Sequence, residues 1–218
     1  AWGVSGKEDE LYCWGAVPDH LHGDAPFGEV EIDWSARKLN DPEKDKPVYA
    51  AAAGSRHLCA LVEENADTTI IACYGDNSRG QKGMPGEPDD GRSRMDWNSA
   101  ELPLALTAGR EHTCALVADR EDPGANQKVY CWGDNRFGQS GGVESNIEGR
   151  ALMFDVPTLV PGLSELNILQ IHAGAYHTCA IGSKPGMMMG ELEFELVCWG
   201  RDSYGQVSAR DTYVKPEP

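Results

Sequence analysis

Nowhere do the 218 residues run through eighteen consecutive apolar positions, so no stretch is able to cross a bilayer as a helix. Basic residues are scarce: 19 Lys and Arg stand against 35 Asp and Glu, a formal net charge of −16. A surface of that sign repels phosphate backbones and anionic headgroups, so nucleic acid and acidic membrane are not expected as partners. Basic proteins, divalent cations or plain solubility suit it better. Missing too is any apolar stripe at helical spacing sustained for three turns, and with it the expectation of a helical core. Glycine and proline are plentiful instead, 25 and 13 residues, as many tight turns between short strands require.

A repeat organises what is there. Ala108-Gly109-Arg110-Glu111-His112-Thr113-Cys114-Ala115-Leu116 is followed, after a loop, by Val129-Tyr130-Cys131-Trp132-Gly133-Asp134-Asn135-Arg136-Phe137-Gly138-Gln139. The same two halves occur upstream, at Ala53–Leu61 and Ala72–Gln81, and downstream, at Ala173–Ile181 and Val197–Gln206. They read A-G-x-x-H-x-C-A and C-[WY]-G-x-x-x-x-G-Q, without a gap, and only the linkers vary in length. Self-similarity at a period of roughly sixty residues marks an array whose neighbouring units bury one another's faces. The units are read as 1–46, 47–101, 102–166 and 167–218 of a single domain.

Six of the seven cysteines fall as one pair per unit: Cys59 with Cys73, Cys114 with Cys131, and Cys179 with Cys198. Each pair is equidistant from a polar or breaker-rich tip, so its members face each other across a hairpin and are expected to bridge. Each bridge would add about 3 kcal/mol in the chain-entropy picture and would require an oxidising compartment. An extracellular or periplasmic address follows as an expectation. Cys13 is the odd one, expected to be unpaired or bridged to another chain. Aligning Leu11-Tyr12-Cys13-Trp14-Gly15 with Val129–Gly133 puts the expected partner of Cys13 just before Ala1, as if the chain began mid-hairpin as a fragment or processed product.

Each full unit is read as four short strands: one after the linker, one through the Ala-Gly half, one through Cys-[Trp/Tyr]-Gly and one before the second turn. Met84 to Trp97, rich in Gly, Pro, Asp and Arg, is read as loop. Val156–Leu163 and Asn167–Ile171 are read as strand leading into Ala173-Gly174. Four antiparallel strands arrayed at a fixed period make the blade of a β-propeller, so the expected fold is all-β, with about 3.5–4 blades in this chain.

These motifs resemble the repeat of the regulator-of-chromosome-condensation family over residues 11 to about 207. The resemblance implies part of a larger, seven-bladed ring of four-stranded blades, completed by further chain or a second subunit. The cysteine in each half-motif resembles the secreted bacterial branch. Light-sensing members carry tryptophan within the Gly-x-x-His-Thr strand. Here those positions are Ser55-Arg56, Arg110-Glu111 and Ala175-Tyr176, so that activity does not carry over.

His57, His112 and His177 share one phase of the repeat, and a residue repeated in every unit is better explained by architecture than by a single active site. Trp14, Trp132 and Trp199, with Tyr74, are expected to pack between blades. Gly138-Gln139-Ser140-Gly141-Gly142 matches the hydrolase pattern G-x-S-x-G but lies where the other units place a turn. Asp76-Asn77, Asp134-Asn135 and Arg201-Asp202 fit Asx turns better than a calcium loop. Asp19, His20, His22 and Asp24 could ligate a metal, yet no second cluster supports them. Met187, Met188 and Met189 at a hairpin tip are the candidate apolar contact for a partner.

The expected role is therefore a non-enzymatic interaction scaffold, without cofactor or metal, binding protein partners through the variable linkers 16–46, 82–101 and 140–156. An inhibitor or regulator of a secreted enzyme is the second reading, and a guanine-nucleotide exchange regulator the third.

Overall fold

The computed structural model describes residues 2–7, 10–18 and 30–38 as backbone strands, and residues 46–65, 68–86, 93–97, 100–124, 127–141, 152–185 and 192–207. Every regular element among them is a β-strand. Strands β1 (Trp2–Lys7), β2 (Glu10–Pro18) and β3 (Val30–Lys38) form the first sheet. Strands β4 (Val48–Ala53), β5 (His57–Asn65), β6 (Thr68–Gly75) and β7 (Ser93–Asp96) form the second. The third holds β8 (Glu101–Ala108), β9 (His112–Asp119), β10 (Lys128–Asp134) and β11 (Met153–Leu159). The fourth holds β12 (Asn167–Ala173), β13 (His177–Pro185) and β14 (Leu192–Gly200). Neighbouring strands pair antiparallel in chain order, the pattern of successive hairpins.

Each sheet stacks face to face on the next, and the first strands β4, β8 and β12 lie beside one another on the inner side. In the second and third sheets the second and third strands are covered on both faces, which is why they read as unbroken apolar runs rather than alternating ones. Cys59, Leu61, Ile71, Cys73 and Met95 of the second sheet meet Ala115, Val117 and Trp132 of the third. One junction on, Cys114, Leu116, Val129 and Cys131 meet Ile168, Ile171, Ala180, Val197 and Trp199. Both alternate sets on a strand are therefore spent on neighbours, odd positions of β5 one way and even positions the other.

Disulfides join Cys59 to Cys73, Cys114 to Cys131 and Cys179 to Cys198. Each links residues directly opposed in its hairpin. The first two lie wholly inside the inter-sheet core. At or next to the end of the third strand stand Gly75, Gly133 and Gly200, with φ of +95°, +99° and +111°. A side chain there would strike the carbonyl oxygens of Arg56, Glu111 and Tyr176 at 2.4–2.6 Å, so both the backbone angle and the space demand glycine.

Two expectations are corrected. The fourth strand of a unit lies inside the linker, after the Gly-Gln turn. Ser93–Asp96 within the supposed loop is strand β7, pairing with β6, and its Ser93 and Met95 are buried. Met153–Leu159 is likewise the outer strand of the third sheet and not the approach to Ala173-Gly174, a role that falls to Asn167–Ala173 alone. The register of the first hairpin also differs. Val4 stands opposite Cys13, where the other hairpins have cysteine, so the position facing Cys13 is present and holds valine. The pairing runs as far as Lys7 opposite Glu10.

Candidate functional site

The repeated histidines sit at the junctions between sheets. His57 of the second sheet reaches Thr113 of the third, Nε2 to Oγ1 at 2.8 Å. The Thr113 hydroxyl donates to the Gln81 carbonyl at 3.0 Å, and Trp132 Nε1–H donates to the same carbonyl at 2.9 Å. Because the hydroxyl proton is spent on Gln81, the oxygen accepts from His57, which fixes the imidazole as its neutral Nε2–H form. The next junction repeats the arrangement. His112 meets Thr178 at 2.8 Å, while Thr178 and Trp199 both donate to the Gln139 carbonyl at 3.0 Å.

Both rings are fully buried, and neither Nδ1 has a partner. Burial lowers the pKa of His57 to about 4, against a smaller opposing pull from Asp76. Burial and then the neighbouring His57 lower that of His112 to about 3. A group held neutral inside a packed junction is a structural bond, not a proton shuttle. Thr113→Val keeps the shape, strands the His57 donor and takes one bond from Gln81. It should cost about 1–3 kcal/mol in urea unfolding; an unchanged midpoint would remove the hydroxyl from the account.

The first junction departs from this pattern at several points together. By register, Trp2 stands opposite Gly15 as His57 stands opposite Gly75, so the first sheet has tryptophan in the histidine place. The receiving threonine is replaced by Leu58 and the indole by Tyr74. Both lie in an apolar cluster with Ala60, Val62, Ile70 and Ala72. Where the histidine is missing, the threonine is missing too.

The second half-motif builds turns. Asn77 and Asn135 each accept through Oδ1 from the backbone N–H five residues on, at 3.0 and 3.1 Å, and Asp202 does the same for Val207 at 2.9 Å. Gln81, Gln139 and Gln206 accept from the N–H two residues back at 2.7–2.8 Å. Ser140 is buried, its hydroxyl directed at the carbonyls of Asp134 and Trp132 at 3.0 and 3.4 Å, so it is a turn clamp without the exposure a nucleophile needs.

The Ala-Gly turns and the loops after Cys-[Trp/Tyr]-Gly lie at one end of the stack. Ser55 N–H donates to the Arg110 carbonyl at 3.2 Å, and Arg110 N–H to the Ala175 carbonyl at 3.0 Å, tying adjacent units there. On this end the outward residues differ from unit to unit. Arg56 pairs with Asp76 at 3.3 Å, and Arg136 joins Glu111 at 2.9 Å and Asp134 at 2.7 Å. In the fourth unit the contact is of another kind: the Arg201 guanidinium lies over the Tyr176 ring at 5.6 Å. Arg110 lies over the same ring at 5.6 Å.

No cluster of three or more His, Cys, Asp or Glu able to hold a metal occurs among the described residues. Asp19, His20, His22 and Asp24 lie outside them, as do Met187, Met188 and Met189. Trp14 is placed as backbone in β2. Sequence reasoning missed the threonine hydroxyls, the glutamine carbonyls and the Arg–aromatic group. The threonine after two of the three repeated histidines, against Leu58 after the first, is the available signal for the hydroxyls.

Residues 126–181 match the family model described as the regulator of chromosome condensation (RCC1) repeat, and residues 105–139 match a second model of that repeat. The chain is 24% identical over 200 residues to the human probable E3 ubiquitin-protein ligase HERC6, covering 90% of this chain and 16% of that one. It is 26% identical over 182 residues to the ultraviolet-B receptor UVR8 of Arabidopsis thaliana, covering 83% and 35%. Human WBSCR16 superposes with a TM-score of 0.62 at 18% identity, over 92% of this chain and 46% of that one. Prp20p of Saccharomyces cerevisiae, whose structure is described with its binding to Gsp1p and histones, superposes at 0.59 and 18%, over 88% and 40%. The chain thus spans less than half the length of each. The architecture is that of the RCC1-like β-propellers.

Proposed function

We propose that the chain is a non-catalytic protein-interaction module that works outside the cytosol, a disulfide-pinned propeller segment of the cysteine-paired type. One observation carries this: the frame residues repeat and are consumed by inter-sheet bonds, while the residues facing outward at the motif end change in charge and size from unit to unit. Rigid frames with varied exposed positions are where binding resides. The RCC1-like relatives support an interaction or regulatory role, and three disulfides support an oxidising address. A repeated neutral histidine and a buried serine give catalysis no foothold.

Two measurements test the reading. Protein isolated from its native source with thiols blocked should gain six hydrogens on reduction from the three bridges. Six alkylated thiols at those positions would overturn the address. Affinity capture should yield a stoichiometric protein partner, lost when residues 87–92 and 142–151 are exchanged for glycine-serine of equal length or when the outward motif-end residues are changed. Deleting all of residues 82–101 is no test, since it removes β7 and the buried Lys82. A chain purified alone, or capture indifferent to every such exchange, would overturn the module.

A further inference from the structure

The fourth unit breaks a charge pattern that the second and third keep. Directly after Cys-[Trp/Tyr]-Gly the chain places Asp76, Asp134 and Arg201. The two aspartates face arginines of their own units, Arg56 at 3.3 Å and Arg136 at 2.7 Å. At Arg201 the sign is reversed and the residue opposite is Tyr176, so the side chain finds rings in place of a carboxylate. Its guanidinium lies over Phe137 at 5.2 Å, Tyr176 at 5.6 Å and Tyr204 at 5.8 Å, with Nε donating to Ser203 Oγ at 2.9 Å. Among the described residues no carboxylate comes within ion-pair distance of it. Among the described residues, Arg110, across the Tyr176 ring, has as its carboxylate neighbour Glu111 at 4.0 Å. Phe137 stacks edge-on against Tyr176 at 5.5 Å, and Tyr204 is 87% exposed.

We propose that Arg110, Phe137, Tyr176, Arg201 and Tyr204 form a docking surface for an acidic segment of a partner protein, one in which a carboxylate side chain stands beside an apolar one. The two guanidinium groups present forked donors that match a carboxylate, and the rings hold them in place and keep water from one side. Exposed aromatic residues next to arginine have the composition of an interface centre. Charge complementarity selects the partner. On a chain of net charge −16, this is a place where an acidic segment is met by open cations rather than repelled.

The inference rests on the interaction-module reading and is tested apart from it, with defined probes on the purified chain. A fluorescent peptide alternating Glu and Phe should bind at low salt at least tenfold more tightly than its Gln-Phe counterpart, and weaken as sodium chloride rises. Arg110→Gln with Arg201→Gln should abolish that preference without moving the thermal midpoint, since both side chains are at the surface. Arg110→Glu with Arg201→Glu should instead favour a Lys-Phe peptide, which rules out a merely structural loss. Equal binding of the Glu and Gln peptides, survival of binding in the double Gln variant, or preference for oligothymidine over the acidic peptide would each overturn the surface. Native capture that depends on other residues would leave the module standing without it.

Discussion

Lowering the pH from 7 to 4 is expected to strip several kcal/mol from the fold, through the two buried histidines rather than through surface ion pairs. The folded values for His57 and His112, about 4 and about 3, lie below the 6.5 of an unfolded chain. Between those limits the unfolded chain takes up protons that the folded one refuses, so the contribution is present in full above pH 6.5. It is lost as pH falls toward 4 and then 3. Each ring is worth roughly 1.4 kcal/mol per pH unit while this lasts, on the order of 3 kcal/mol or more apiece. The cause is geometric. The donor to Thr113 or Thr178 is already Nε2–H, and a second proton would sit on Nδ1, which has no acceptor and is sealed by the Gly54 or Gly109 turn. Urea midpoints at pH 7, 6, 5 and 4 should fall steadily. His57→Gln, which retains an amide donor but does not titrate, should flatten the slope by about half. A midpoint level between pH 6.5 and 4.5 would show that the rings are not sealed.

The second large effect belongs to Gly109. A methyl group there would lie 2.1 Å from His112 Cε1 and 2.5 Å from Nδ1, and also 2.5 Å from the carbonyl oxygen of Gly174 in the next unit. The ring cannot swing aside without giving up Thr178, and the carbonyl is backbone. Gly109→Ala should therefore cost about 3 kcal/mol or more by overpacking, which for a domain of this size lowers the melting temperature by roughly 10 °C. Gly54→Ala should behave alike, since it meets His57 at 2.2 Å and the Gly109 carbonyl oxygen at 2.6 Å. Gly124→Ala is the control: its nearest neighbour is Asp122 Oδ1 at 3.6 Å, and the change should stay within about 0.5 kcal/mol. Equal losses at Gly109 and Gly124 would dismiss the clash and point to a general intolerance of the chain.

These contacts also explain which parts of the molecule the sequence makes legible. The Gly of Ala-Gly and the His three residues on recur together because one lies against the other, and a steric pair leaves a fixed spacing. The cysteine pairs are legible for a similar reason, since residues equidistant from a turn must face each other. The outer strands are not. Ser-Arg-Met-Asp shows two buried positions in four, and Met153–Leu159 carries a proline and faces largely outward, so neither displays the apolar run that marks a strand covered on both sides. The register at Cys13 is hidden because residues 5–9 have the composition of a turn, while the pairing continues to Lys7 and Glu10. Nor could the hub of each junction be found by residue type: the carbonyls of Gln81 and Gln139 are backbone atoms. The Arg201 surface needs loops of two units to meet around one ring, which no single window of sequence contains.

The histidine–threonine junction has a direction. One unit extends an imidazole and offers a carbonyl, and the next answers with a hydroxyl and an indole, so every piece has a plug at one end and a socket at the other. Such couplings are portable: a segment running from one inner strand to the end of the next linker could be excised or duplicated, and the severed neighbours would still match. The seam between the first and second sheets is keyed differently, with Leu58 and Tyr74 in place of threonine and indole, so a transplanted piece would seat at the later seams and be refused at the earlier one.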